Sequence, residues 1–435
     1  MPSKMSPGAA LEAKLLRLQP SQRPPADIFQ VLLASAAVVS SPRTPLVIDR
    51  LLAASAFVDI QTPTGLTFPA DHALHPRSGP EWYWFSANLR VAGDEATQLA
   101  VCFGMKRQPA LPNALQDEAG WTDEETQVVY VSGTVVVKGP DGGAIFRRRP
   151  NVQWPMLGGD VGFGADPFLF RCGPDTLSGT LDVLPLAISI DDGDNMSVDL
   201  VMSTDMAPAT AFFLEADGGV TPPPIPGTYY SWPQLTVDGT VTAGGISYSV
   251  TGKGWIDHQL FMQTPPPGLP NPILPPTYNP PVGFDGWAWC QFNLDNGAAF
   301  TASTFRLGPL MATAPLFNAY YLHRLGEGWR RQDLTGSLAV DGLVPLMHGM
   351  IQPTAWLYAV APADGLGPRM TITPTPWLID GGFETGDLAV SSEVPVSVTV
   401  GPPGALAGSG FCETVGAEPP AGYVERALAF LKARS

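Results

Sequence analysis

The sequence predicts an all-β protein. Proline and glycine are frequent, at 47 and 46 of 435 residues, and both punctuate chains built from short strands and turns. Between them run stretches of β-branched and aromatic residues, such as Val128-Val129-Tyr130-Val131-Ser132-Gly133-Thr134-Val135-Val136-Val137. Turn signals recur between these stretches at short spacing, the pattern of sandwiches and barrels.

In chain order, residues 1–58 stand apart. Leu11, Leu15 and Leu18, then Ile28, Val31 and Leu32, keep helical spacing, broken by Pro20, Pro24, Pro25, Pro42 and Pro45. Two or three short helices are expected there. The strand over 128–137 is stopped by Gly139-Pro140-Asp141-Gly142-Gly143. Residues 187–190 and 196–202 form a hairpin around Asp191-Asp192-Gly193-Asp194. That acidic turn lacks the length and closing Glu of a calcium loop, so it is read as a plain turn. Strands follow over 234–241 and 246–251. Residues 264–283 hold nine prolines, which cannot supply ladder N–H groups, and are read as a connector. A hairpin then turns at Asp295-Asn296-Gly297, and a helix over 422–432 closes the chain. The expected division is a helical segment 1–58, a β unit 59–263, the connector 264–283, and a second β unit with its C-terminal helix, 284–435.

A chain of this length predicts two domains, each able to bury a core without staples. Cys102, Cys172, Cys290 and Cys412 form no CxxC pair, so buried free thiols are expected. A net charge of −16 counts against nucleic acid and leaves a neutral, apolar or cationic ligand as the default. Arg147-Arg148-Arg149, the only basic run, is read as a solvated turn. No stretch reaches the roughly 18 apolar residues of a membrane span. A cytoplasmic location is expected, with export as the alternative should the apolar run 28–39 belong to a signal segment. Peripheral membrane contact is compatible with either. There is no phosphate-binding Gly loop and no GxSxG elbow, so no cofactor is expected.

Four clusters set aromatic residues beside an ionisable one. The first is His72-x-x-His75 followed by Glu81-Trp82-Tyr83-Trp84-Phe85. Alternation sends Trp82 and Trp84 to one face and Glu81, Tyr83 and Phe85 to the other. Glu81 belongs on a rim or beside an Arg or His. HxxH lacks a third ligand at a recognisable spacing, so no metal is expected. The second cluster is Tyr229-Tyr230-Ser231-Trp232-Pro233 with Gly254-Trp255-Ile256-Asp257-His258-Gln259. Its adjacent acid and imidazole are a candidate proton-handling pair; the plainer alternative is a turn cap and a backbone-bonded histidine. The third is Trp287-Ala288-Trp289-Cys290-Gln291 with Arg306, and the fourth runs over 408–416 around Phe411 and Glu413. Each cluster alone fits aromatic packing in a barrel. Together they suggest an aromatic-lined site for an apolar ligand.

The ordered set resembles the carotenoid 1,2-hydratase (hydroxyneurosporene synthase) and AttH-like family of double lipocalin-like proteins. The matching positions are His75, Glu81-Trp82-Tyr83-Trp84, Trp255, Asp257-His258-Gln259, Gly286-Trp287, Trp289, Glu413 and Gly416, which span about residues 70–416. Trp-Tyr-Trp stands where the family usually has Trp-Trp-Tyr. The resemblance implies two consecutive lipocalin-like antiparallel β-barrels with a pocket in or between them. It also implies members that hydrate a polyene and relatives that look like [4+2] cyclases of the Diels–Alderase type.

Acid-catalysed hydration of a polyene or isoprenoid needs a carboxylic acid of raised pKa and aromatic faces for the cation. The catalytic candidates are Asp257 as acid, with His258, Glu413 and Tyr230. The substrate-binding candidates are Glu81, Trp82, Trp84, Trp232, Trp255, Trp287, Trp289, Arg306 and Phe411. A cyclase would use shape in place of the acid, and a lipid or carotenoid carrier would need no chemistry.

Overall fold

A computed structural model describes residues 66–415, apart from 205–212, 215–226, 262–283, 308–315, 379–390 and a few shorter segments. The expected N-terminal helices, proline-rich connector and C-terminal helix lie outside the described residues. The chain divides at Gly283/Phe284 into two compact units, and both are built from antiparallel strands.

The first unit contains β1 (Glu81–Val91), β2 (Asp94–Pro109), β3 (Gln127–Gly139), β4 (Gly142–Arg147), β5 (Asn151–Gln153), β6 (Val161–Ala165) and β7 (Phe168–Cys172). It continues with β8 (Asp175–Gly179), β9 (Leu186–Asp191), β10 (Met196–Ser203), β11 (Phe213–Leu214), β12 (Gly227–Ala243) and β13 (Ile246–Phe261). They form one sheet in the order β4-β3-β2-β1-β13-β12-β10-β9-β8-β7-β6, with β11 on β12 and β5 on β3. The pairing of β1 with β13 joins the beginning of the unit to its end, from Glu81↔Leu260 to Val91↔Val250. The sheet curls into a half-barrel. Tyr83 on β1 packs against Phe168 on β7 at 5.2 Å, and Asn151 on β5 donates to the Cys172 carbonyl on β7 at 2.8 Å.

Alternation sets its core. Leu186, Ile188 and Ile190 are buried, as are Met196, Val198, Leu200 and Met202 in the paired strand. On β12 the register shifts between Trp232 and Leu235, where Gln234 takes a φ of 59°. Pro233 sits in this bulge, where no ladder N–H is required of it. The extra residue resets the alternation, so Tyr230 and Trp232 before it face the same side as Leu235 and Val237 after it.

Arg148 corrects the reading of the basic run as a solvated turn. Its side chain is 5 % exposed and pairs with Asp175 and Asp192 at 2.9 Å each. Burial raises the pKa of Asp175 above the usual carboxylate range against the pull of Asn151, the Asp191 N–H and Arg148. Arg149 remains exposed and reaches Asp192 at 2.7 Å.

The second unit holds β14 (Phe284–Leu294), β15 (Ala299–Leu307), β16 (Leu316–Leu325), β17 (Gly328–Asp341), β18 (Val344–Pro345) and β19 (Ile351–Gln352). Then come β20 (Ala355–Pro362), β21 (Met370–Pro376), β22 (Ser391–Val400) and β23 (Leu406–Val415). Eight of them close into a barrel, β14-β15-β16-β17-β20-β21-β22-β23, while β18 and β19 pair separately. The turn before β15 places Gly297 at φ 82°, which suits glycine. Phe292 and Phe300 meet Tyr358 at 6.0 and 5.8 Å. These rings and Cys290, Ile372, Val394, Val396, Val398 and Cys412 form the core. All four cysteines are buried and none is in a disulfide. No helix among the described residues is long and apolar enough to cross a membrane.

Candidate functional site

Strand β13 carries Asp257 and His258 on opposite faces. The register pairs Asp257 with Trp84 on one side and Ser231 on the other, and His258 with Tyr83 and Tyr230. Side chains alternate along a strand, so the sheet presents two separate clusters.

The inner cluster is centred on Glu81, which is fully buried. Its Oε2 accepts from Arg107 Nε and from the His75 backbone N–H, each at 2.7 Å. Its Oε1 lies 2.7 Å from both His75 Nδ1 and His258 Nε2. Burial pushes the carboxyl pKa up, but the Arg107 and His75 charges and the imidazole hydrogen bonds outweigh it and hold Glu81 well below its ordinary value. Burial pulls His75 down. Glu81, through its charge and its hydrogen bond, and Asp71 outweigh that and raise it to about 9. Burial lowers His258, against the pull of Glu81.

A neutral His258 facing a carboxylate carries its proton on Nε2. Its Nδ1 therefore accepts from the Tyr230 hydroxyl at 2.9 Å. That hydroxyl in turn accepts from His72 Nδ1 at 2.8 Å. His72 is held down to about 3 by burial and then by His258. Tyr83 donates to the His72 carbonyl and stacks on His258 at 4.1 Å. His72 also packs on Phe68 and Trp232 at 4.5 and 4.7 Å. The network pins residues 68–81 to the sheet.

His75 Nδ1, Glu81 Oε1 and His258 Nε2 lie within 4.8 Å of one another, near enough to share a metal ion. Arg107 and a protonated His75 already balance Glu81 and Asp71, and each ring nitrogen already meets the carboxylate. In this arrangement one nitrogen of each ring is engaged by Glu81 Oε1.

The outer cluster is centred on Asp257, 6 % exposed. Its Oδ1 accepts from Tyr229 at 2.7 Å, Ser231 at 2.6 Å and Trp255 Nε1 at 2.7 Å. Among the described residues no hydrogen bond reaches Oδ2. Burial raises the carboxyl to about 6, and the three donors restrain the rise. Two rows of side chains cross the sheet here. One is Tyr130, Lys106, Trp82 and Gln259; the other is Ser132, Gly104, Trp84, Asp257 and Ser231. The Trp84 indole lies across Gly104, where an added Cβ would come within 2.3 Å of the ring. It donates to Cys102 Sγ at 3.0 Å. The Lys106 ammonium lies over Trp84 at 4.9 Å, Trp82 at 5.6 Å and Tyr130 at 5.8 Å.

Of the sequence candidates, the structure gathers Glu81, Tyr230, His258 and Trp232 on the inner face and Trp82, Trp84, Trp255 and Asp257 on the outer. Trp289 and Glu413 face each other in register on β14 and β23 of the barrel, beside Phe411. Trp287 and Arg306 occupy β14 and β15, and their side chains lie outside the described residues. Sequence reasoning missed Lys106 and Arg107. Two adjacent cations ending the apolar run 99–105, in a chain with only 24 Lys and Arg, were the available signal.

A family model described as AttH-like matches residues 59–314. The crystal structure of a putative AttH from Nitrosomonas europaea is similar in fold. It is 18 % identical, with a TM-score of 0.58, over 82 % of this chain and 98 % of that one. Kievitone hydratase from Nectria haematococca is 12 % identical, with a TM-score of 0.52, over 82 % of this chain and 96 % of its own. CghA is 10 % identical, with a TM-score of 0.47, over 83 % and 95 %. No curated protein matches the chain.

Proposed function

This chain belongs to the AttH-like family, and we propose that it is an enzyme adding water across a carbon–carbon double bond of a hydrophobic substrate, with Asp257 as the proton donor. One observation carries the reading. Three donors converge on Asp257 Oδ1, so in the acid form the proton resides on Oδ2. A carboxyl near 6 is a competent acid close to neutral pH, where general acid catalysis contributes about 10²–10⁴-fold. Hydration requires a proton on one alkene carbon and a water oxygen on the other. Asp257 supplies the first and regains a proton from the added water. Trp84 and Trp255 provide apolar walls beside the carboxyl, and Tyr229 and Ser231 fix its orientation. Trp82, Tyr130 and Gln259 are only half-buried and mark the open side of this face.

The experiment compares organic extracts of cells expressing the wild type and Asp257→Asn by mass spectrometry. The variant should lose the product and accumulate a species lighter by one water. An unchanged product profile from folded Asp257→Asn protein rules Asp257 out as the acid.

A further inference from the structure

Lys106 is the element of the outer cluster that hydration of a plain hydrocarbon leaves unexplained. It is 8 % exposed, and its ammonium lies over the faces of Trp84, Trp82 and Tyr130. Those are the faces a carbocation would need. A fixed ammonium already covers them and repels a second positive charge nearby. The site is therefore poorly arranged for an intermediate that gains positive charge and well arranged for one that gains negative charge on oxygen.

We propose that the double bond being hydrated is conjugated to a carbonyl, and that Lys106 holds the carbonyl oxygen while Asp257 serves the carbon next to it. This rests on the reading of Asp257 as proton donor and names the substrate class for that site: an α,β-unsaturated carbonyl compound with an apolar body. Lys106 and Asp257 belong to neighbouring rows of one face, and the Trp84 indole lies beside both. A planar conjugated system lying beside that indole would meet the ammonium at its oxygen and the carboxyl at its α-carbon.

The water oxygen bonds to the β-carbon, and the alkene electron pair moves toward the carbonyl to give an enolate whose oxygen accepts from the Lys106 ammonium. Asp257 Oδ2 delivers its proton to the α-carbon as the carbonyl re-forms, and the proton lost by the added water returns to the Asp257 carboxylate. The sum is addition of H and OH, with no change of oxidation state.

The test uses β-ionone and β-ionol, which share one skeleton and differ as conjugated ketone and allylic alcohol. With the full-length wild type, β-ionone should bind about tenfold more tightly than β-ionol, as expected for a carbonyl hydrogen-bonded to a charged donor. Its enone absorption band should shift to the red on binding. Lys106→Met, which keeps the apolar stem, should remove both the preference and the shift, and Lys106→Arg should retain them. Equal shifts in wild type and Lys106→Met overturn the proposal, as do equal affinities for the two compounds or no binding of either. Asp257→Asn separates the two readings. If it retains the red shift and also retains hydration activity, the proton-donor role fails and the carbonyl contact stands. If it loses hydration while Lys106→Met keeps the red shift, the carbonyl contact fails and the donor stands.

Discussion

Asp257 and His258 are consecutive in the chain and take part in hydrogen-bond networks on opposite faces of β13. One carboxyl keeps a proton to about pH 6. One imidazole is clamped between Glu81 and Tyr230. The strand thus carries a group suited to giving up a proton on one face and a fully hydrogen-bonded group on the other. Chemistry is assigned to the first and anchoring of residues 68–81 to the second.

Activity should fall as pH rises through about 6, because the protonated form of Asp257 is the proposed acid. A log-rate plot with saturating substrate should decline with unit slope on its alkaline side. A rate flat between pH 5 and 8 counts against the assignment.

Asp257→Asn should stabilise the fold at pH 8. The native carboxyl titrates near 6, against an ordinary 3.8. The folded state therefore binds the proton more tightly than the unfolded state. The stability this gives is fully present below the unfolded value and lost as pH rises through the folded one. The difference amounts to about 3 kcal/mol at most. Asparagine keeps an acceptor for Tyr229, Ser231 and Trp255 without the buried charge. Tm compared at pH 4 and pH 8 should show the variant gaining on the wild type only at the higher pH.

Glu81→Gln should act in the opposite sense. It leaves Arg107 buried without its carboxylate, at a cost of about 3–5 kcal/mol. It also removes the main support for the raised His75 pKa. In the wild type that contribution is complete below about 6.5 and is lost as pH passes 9, so stability should drop across that window. In the variant the drop should be largely absent. Urea unfolding at pH 7 and pH 10 measures both effects, and an equal pH dependence in the two proteins contradicts the role given to Glu81.

The strand pattern was legible because it is local. The hairpins at Gly193 and Gly297 and the opposed faces of Trp82 and Glu81 follow from periodicity and turn chemistry, and the absence of disulfides follows from cysteine spacing. The partners of Glu81 were legible only by type, an Arg or His, since Arg107 and His258 lie 26 and 177 residues away along the chain. The separation of Asp257 from His258 follows from alternation once β13 is seen to run through to Phe261 and not to stop before Gly254. Arg148 was misread because its two acidic partners, Asp175 on β8 and Asp192 in the turn between β9 and β10, lie 27 and 44 residues further along the chain.

Arg148→Met should destabilise the first unit by about 3 kcal/mol, because Asp175, fully buried, loses its cation. Arg149→Met should cost far less, since that side chain is 68 % exposed. Chemical denaturation of both variants tests the contrast; similar losses from the two would mean that the buried pair has no special weight.

Gly104→Ala should disable the outer cluster while leaving both Asp257 and Lys106 in the chain. An added Cβ would lie 2.3 Å from two Trp84 ring carbons and 3.2 Å from Lys106 Cε. Trp84 has little room to yield, being 7 % exposed and held through its Nε1 to Cys102. The ring must leave its place across the sheet, and the ammonium resting on it must follow. Overpacking of this kind costs about 1–3 kcal/mol, so the variant should still fold, with a lower Tm. It should lose the β-ionone red shift along with hydration, although Asp257 and Lys106 are both retained. A folded variant with the full red shift would show that the seating of Trp84 and Lys106 on Gly104 does not set the substrate's place.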